Sequence, residues 1–239
     1  MIIIRWIVDF FYGIIDNLYK TLVYQDRYLF IIKGLFNTLI IALFATLIGI
    51  VLGIVIALVI DINNRNKKLK WLSKICRGYV AIIRGTPVLL QLMIIYYVVF
   101  KSVDINVILV GIIAFGINSS AYVSEIIKSG IISVDNGQFE ASKALGFNYF
   151  QMMRYVILPQ AIRNIMPSLG NEFITLLKET SVAGYIGISE LTKASDIIAS
   201  RTYDYFFPLI IVALIYLVMT LGLAKLVKLM EVKLSDVRD

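Results

Sequence analysis

The chain has no histidine and one cysteine, Cys76. Without imidazole there can be no Ser-His or Cys-His catalytic pair and no histidine proton relay. With a single thiol there is no internal disulfide framework and no Cys/His metal site. Cys76 sits among Lys74 and Arg77 and reads as a plain cytoplasmic thiol. No G-x-x-x-x-G-K-[ST] occurs, so the chain has no loop of its own to cradle ATP phosphates. No paired carboxylates or Ser-Lys arrangement stand at a readable spacing, which leaves an intramembrane enzyme without its groups. Charge is scarce as well: Asp, Glu, Lys and Arg make up 16% of the 239 residues.

What is abundant is apolar surface. Hydrophobic residues reach 59% and mean hydropathy is +0.85, beyond the roughly half apolar content of a soluble domain. The composition describes one integral membrane domain, all-α, with too little polar sequence for a separate soluble unit. The net charge of +7 does not point to nucleic acid. Six Lys or Arg fall between Arg65 and Arg77, straight after a long apolar run, as the positive-inside bias produces. A cytoplasmic loop facing anionic membrane lipid is the expected reading.

Residues 1–28 form a separate amphipathic segment. Arg5, Asp9, Asp16 and Lys20 align at helical spacing, with Ile3, Ile7, Phe10, Phe11, Ile14 and Leu18 around the rest. A signal peptide needs a positive start, an unbroken apolar core and a small-residue cleavage site, and none is present. A helix lying in the membrane interface fits better.

Five spans are predicted. The first lies between Lys33 and Asp61, with 27 uncharged residues and a Gly49/Gly53 G-x-x-x-G pattern read as helix packing. The second covers about Gly78 to Phe100 and is expected to bend at Gly85–Pro87, beside Arg84. The third runs from Ile105 to Ser124 and ends in Asn118, Ser119, Ser120 and Tyr122. Residues 125–136 are expected to leave the membrane. Asn118 is the costliest of the third span's polar groups to bury and so the better candidate ligand; the serines read as helix glue. The fourth, about Gln160 to Gly184, carries Arg163, Glu172 and Lys178. A charge at the bilayer centre costs roughly 3 kcal/mol, so each must meet water, a partner or a ligand. Pro167 and Gly170 predict a broken helix ahead of Asn171 and Glu172, a common form of transport site. An internal salt bridge from Glu172 to Arg84 or Arg163 is the competing arrangement. Residues 179–204 read as a polar loop on the opposite side. The fifth span, Tyr205 to Ala224, has 20 uncharged residues. The charge bias then places the N-terminus outside and the C-terminus in the cytoplasm. No internal repeat is visible, and an odd number of spans cannot split into two halves, so a second permease subunit is expected to complete the path.

Between the third and fourth spans, Gly137 to Gly146 reads as a short amphipathic helix on the cytoplasmic side. Glu140-Ala141-Ser142, three residues, Gly146, nine residues, Val156, one residue, then Leu158-Pro159 resembles the EAA loop of ABC-importer permease subunits. That loop runs E-A-A, three residues, G, nine residues, I, any residue, L-P; Ser142 stands for the second Ala and Val156 for Ile. RGTPVLLQ (84–91), AYVSEIIKSGIISVDNGQ (121–138) and NEFITLLKETS (171–181) resemble the polar amino-acid branch of that family. The similarity covers roughly Lys33 to the C-terminus, several spaced motifs agreeing.

The resemblance implies a type I importer permease domain over residues 29–239, with an ATPase-coupling region at about 137–159. It further implies a prokaryotic cell-membrane location, a partner ATP-binding subunit that holds ATP and Mg, and an extracytoplasmic solute-binding protein. Gly137, Glu140, Ala141, Ser142, Gly146, Leu158 and Pro159 would form the coupling segment. Arg84, Pro87, Arg163 and Lys178 would line or gate the path, Arg84 because RGTP followed by Gln91 recurs near the pathway in these permeases. Glu172 is the candidate recognition group, helped by Gln91, Asn118 and Thr175. A buried carboxylate prefers a cationic cargo such as arginine, lysine or histidine, although it could equally grip any α-ammonium group. The alternative is an ion-coupled carrier or channel using Arg84, Glu172 and Lys178 as a charge relay, which leaves the cytoplasmic helix without a purpose.

Overall fold

The computed structural model describes residues 2–235, the side chains of 2–8, 10, 66 and 235 excepted. Every element among them is helical. The order is α1 (Ile2–Leu22), α2 (Tyr28–Asn66), α3 (Lys70–Gly85), α4 (Val88–Ile94) with a π-turn (Ile95–Val99), α5 (Val107–Ile132) and α6 (Asn136–Ala144). It continues with α7 (Tyr149–Met152), a second π-turn (Met153–Ile157), α8 (Leu158–Glu179), a 3-10 segment (Thr180–Ile186), α9 (Leu191–Thr202) and α10 (Phe206–Ser235). Among the described residues, three helices are long and apolar enough to cross a membrane: Tyr24–Arg65, Val107–Ile132 and Phe206–Leu234. The bent pair Lys70–Gly85 and Val88–Val99 makes a fourth if it counts as one span. α8 is long enough, at about 1.5 Å per residue, but too polar to qualify by composition.

α5 is the centre of the bundle, with α2 lying along it. The Gly49/Gly53 pattern does pack. A β-carbon on Gly49 would fall 2.8 Å from Ser119 Oγ, and one on Gly53 would fall 2.6 Å from Val123 Cγ1. On its other side α5 meets α8, where Ile165 fills the space over Gly130. α10 closes on α8 by setting Val227 against Gly170. α9 is tied to the start of α2 by Asn37 Nδ2 donating to the Ser189 carbonyl (2.8 Å) and by the Leu191 N–H donating to Thr38 Oγ1 (3.2 Å). Local caps start the helices where the sequence offers them: Asn106 for α5, Asp135 for α6, and a reciprocal Asn148/Gln151 box for α7.

Several boundaries differ from the sequence reading. α2 runs past Asp61 to Asn66, because Asp61 and Arg65 pair one turn apart (3.1 Å) and Lys67, at φ 54°, ends the helix. The basic stretch is therefore two helix ends joined by residues 67–69, not a loop. The second span is not one bent rod: its halves lie at 109°. Thr86 is extended before Pro87, as pre-proline sterics require. The Ile83 carbonyl, which Pro87 cannot serve, takes a hydrogen bond from Gln91 Nε2 at 2.7 Å. α5 continues through Glu125 to Ile132, since Ile127 and Ile131 belong to the core and Lys128 pairs with Glu125.

The expected break at Pro167 is absent. α8 is continuous through it, held on one side by α5 and on the other by α10, so loss of one backbone bond is tolerated. Residues 179–204 are mostly the 3-10 segment and α9 rather than loop, and their core faces are buried. α10 extends well beyond Ala224 to Ser235. At the N-terminus the polar stripe includes an Asp16–Lys20 pair beside exposed Phe11, Tyr12 and Ile15. Ile3, Arg5, Ile7 and Phe10 lie outside the described side chains.

Candidate functional site

Two regions hold the sequence-predicted residues. The first is a cavity of about 530 Å³ between the end of α3, α5 and α8, lined by Arg84, Tyr122, Glu125, Ser129, Ser168 and Glu172 among others. Glu172 does not pair with Arg84 or Arg163 among the described residues; its carboxylate accepts a hydrogen bond from Ser119 Oγ at 3.0 Å. Arg84 lies over the Tyr122 ring, 5.4 Å from its centroid. The cavity therefore holds an acid and a base that are both anchored yet not neutralised by each other. A second groove of about 610 Å³, carrying Arg163, Pro167 and Asn171, shares Ser133, Asn164 and Ser168 with the first. Together they make a continuous polar path beside α8.

Along α8 the polar residues Asn164, Ser168, Asn171, Thr175 and Lys178 recur at helical spacing on one face. Asn164, Asn171, Thr175 and Lys178 are exposed on the single chain. Thr175 and Lys178 stand on this stripe outside both cavity walls. Gln91 and Asn118 are brought together, but away from the walls: Asn118 Nδ2 donates to Gln91 Oε1 at 2.9 Å, and Gln91 Nε2 lies within bonding range of the Ile83 and Thr86 carbonyls and Thr86 Oγ1. They brace the break between α3 and α4 that follows Arg84. Asn118 Oδ1 is buried without a hydrogen-bond partner among the described residues.

The second region is the segment after α5. α6 buries Phe139 and Ser142 and exposes Gln138, Glu140, Ala141, Lys143 and Ala144. Ser142, which stands at the motif's second alanine, faces inward and its hydroxyl donates to the Gln138 carbonyl at 2.6 Å. Gly137 N–H is taken by the Asp135 carboxylate, and Gly146 turns the chain at φ +78°. Beyond it, Leu145 and Phe150 are exposed apolar side chains. Leu158 packs on the core and Pro159 opens α8, directly after the π-turn. From Tyr149 to Glu179 the backbone stays helical, so one rod joins this segment to Glu172.

Sequence reasoning missed several residues here. Ser119, read as helix glue, is the hydroxyl on Glu172. Glu125 lines the cavity because α5 runs two turns past Ser124, and Tyr122, inside the expected span, lines it as well. Asp61 accepts from the Tyr149 hydroxyl at 2.7 Å, and the Arg65 guanidinium lies 4.1 Å from the Phe139 ring centroid, so α2 grips both α6 and α7. Burial, then the neighbouring Asp61 carboxylate, push the Tyr149 phenol above its usual range. Only the helical spacing of Asp61 and Arg65 was visible beforehand.

A helical bundle with membrane-length helices, adjoining polar cavities beside α8 and an exposed helix after α5 fits a membrane transport component. The model of the binding-protein-dependent transport system inner membrane component matches residues 49–236, and the chain belongs to that family. It is 40% identical over 213 residues to a putative glutamine transport system permease protein, GlnP, of Rickettsia prowazekii, covering 88% of this chain and 95% of that one. It is 41% identical over 211 residues to the arginine transport system permease protein ArtQ of Bacillus subtilis, covering 87% and 93%. A chain in the crystal structure of an amino acid ABC transporter with histidines superposes at a TM-score of 0.79 with 46% identity, over 85% of this chain and 94% of that one. The MetNI methionine ABC transporter shares the fold at a TM-score of 0.70 and 20% identity, over 90% and 99%.

Proposed function

We propose that this permease subunit forms, with a second identical or similar subunit, the path of an ATP-driven importer for polar amino acids, and that Glu172 is the main cargo-recognition group. The observation that carries the reading is the placement of Glu172. It lies in a polar cavity, held by a neutral hydroxyl, on the same helical rod that begins at the exposed coupling segment. Its negative charge has no cationic partner among the described residues, which favours a cationic side chain or an α-ammonium group. Asn118, bonded to Gln91 behind the cavity wall, supports the turn beside Arg84 rather than reaching the cargo in this arrangement. The names of ArtQ and of the transporter with histidines support a basic cargo, and that of GlnP a neutral polar one.

In this reading α8 is the fourth of five spans despite its charges, its polar stripe facing the shared path. The N-terminus is outside, the C-terminus and α6 are cytoplasmic, and α1 lies in the interface, residues 1–28 being distinct from the permease domain. Glu140, Ala141 and Ala144 seat in a groove of the ATP-binding subunit, which holds ATP and Mg. An extracytoplasmic binding protein delivers cargo on the side of α9. Closure of the ATPases pushes α6; the α7–α8 rod and the Asp61–Tyr149 contact carry the push to Glu172 and Arg84.

Uptake into proteoliposomes containing the subunit, its ATPase and its binding protein tests the site. Glu172→Gln is expected to abolish uptake of a basic amino acid while the complex still assembles. Unchanged uptake removes Glu172 from the site, and uptake driven by an ion gradient without ATP replaces the importer reading.

A further inference from the structure

Away from both regions, the turn between α2 and α3 holds a cavity of about 470 Å³ walled by Asn63, Lys70, Trp71, Ser73, Lys74 and Arg77. Three properties set it apart. It is electropositive: Lys67, Lys68, Lys70, Lys74 and Arg77 crowd this turn, and among the described residues none of the five pairs with a carboxylate. α3 starts without a side-chain cap, so its first N–H groups add positive potential at the same turn. In the wall, Asn63 Oδ1 is buried and has no donor among the described residues.

The flank of this cavity is apolar rather than wet. Trp71 is 78% exposed, and Leu72, Ile75 and Ile82 continue an exposed apolar face along α3. Lys74 Nζ lies 6.0 Å from the Trp71 ring centroid, beside that face. Cations at one edge of a helix and a tryptophan with aliphatic side chains at the other is the arrangement that settles at the boundary between headgroups and acyl chains.

We propose that this cavity binds the headgroup of an anionic phospholipid with a free hydroxyl, a glycerol-type headgroup. The phosphate sits among Lys70, Lys74 and Arg77, the headgroup hydroxyl donates to Asn63 Oδ1, and the acyl chains run beside Trp71 and Ile75. A free phosphate uses only the cations and gains nothing from the apolar flank. A zwitterionic lipid brings its own cation into a site that already has three, beside a turn with two more. Lys and Arg side chains at the membrane surface favour an anionic leaflet, and a tenfold preference, about 1.4 kcal/mol, is the effect the experiment reads. The site fixes the turn at the lipid surface, while the far end of α3 breaks at Thr86 beside Arg84.

The test uses the full chain with Trp6→Phe, leaving Trp71 as the sole tryptophan, in phosphatidylcholine vesicles. Dibrominated phosphatidylglycerol is expected to quench Trp71 at about one tenth the mole fraction of dibrominated phosphatidylcholine. The Lys70→Gln/Lys74→Gln/Arg77→Gln variant should lose that preference, and Lys193→Gln, on a distant surface, should keep it. Equal quenching by the two lipids in the chain without further substitution overturns the proposal, whatever the variants do. Full preference in the triple variant also overturns it. Millimolar inorganic phosphate abolishing the preference at matched ionic strength assigns the site to a free anion instead. Loss of the ATP-binding subunit without loss of lipid selectivity in the triple variant assigns the patch to protein docking.

Discussion

Gly53→Ala is the most direct probe of how the bundle is assembled. The added methyl would lie 2.6 Å from Val123 Cγ1, 2.8 Å from Val123 Cβ and 3.1 Å from the Ser120 carbonyl oxygen. Valine in a helix has essentially one side-chain rotamer, so Val123 cannot swing aside, and the Ser120 oxygen is backbone. The helices must separate or shift in register. Overpacking of this kind costs about 1–3 kcal/mol, against a gain near 1 kcal/mol from replacing glycine within a helix. A net loss of up to about 2 kcal/mol is expected from these opposing effects. Val123→Ala removes the Cγ1 overlap at 2.6 Å but keeps the β-carbon contact at 2.8 Å, and by itself loses packing worth about 1 kcal/mol. Equilibrium unfolding in a mixed-micelle denaturant series for the four proteins of the cycle gives the coupling. The double variant should be more stable than the sum of the singles implies, by about 1 kcal/mol or more. Strict additivity would refute the claim that Gly53 makes room for the Val123 Cγ1 methyl.

Other consequences follow from named contacts. Tyr149→Phe removes the hydroxyl on Asp61, a bond to a charged acceptor worth about 1.5–3 kcal/mol; thermal unfolding should register it, and stimulation of the partner ATPase by loaded binding protein should fall with it. Because the Tyr149 phenol is raised, the folded state keeps its proton where the unfolded chain begins to lose it near pH 10; stability should decline above that pH, less steeply in Tyr149→Phe. Glu190, 1% exposed, caps α9 through the Thr192 and Lys193 N–H groups and accepts from Tyr216, yet its burial pushes the carboxyl from 4.5 up to about 7. Neutral Glu190 is thus favoured on folding: that contribution is complete below about pH 4.5 and lost as pH rises through about 7. Its ceiling is on the order of 3 kcal/mol, and Glu190→Gln should flatten the unfolding profile between pH 5 and 8. Glu140→Arg should uncouple ATP hydrolysis from uptake without unfolding the chain, since Glu140 is exposed; normal ATPase stimulation would remove α6 from the docking surface.

The two internal prolines illustrate where sequence reading stops. Pro87 and Pro167 each lack an N–H and each follow a helical stretch, so local rules treat them alike. Only Pro87 breaks its helix. There the freed Ile83 carbonyl is met by the Gln91 side chain, which Asn118 holds in place from another helix. Pro167 stays helical because α5 and α10 clamp α8 on both sides. Arg65–Arg77 was read as loop because charge ended the apolar run, but an Asp61–Arg65 pair carries the helix further.

By itself the sequence determined the membrane class, the motif spacing from Glu140 to Pro159 that resembles the permease family, and the glycine pattern that lets α2 pack closely. These depend on composition and on neighbours along one helix, both written locally. The tertiary structure alone decided that Ser119 holds Glu172, 53 residues away, and that Tyr149 reaches Asp61, 88 residues away. Such partners are chosen by which helix faces meet, and no periodicity within a segment encodes the rotation of one helix against another.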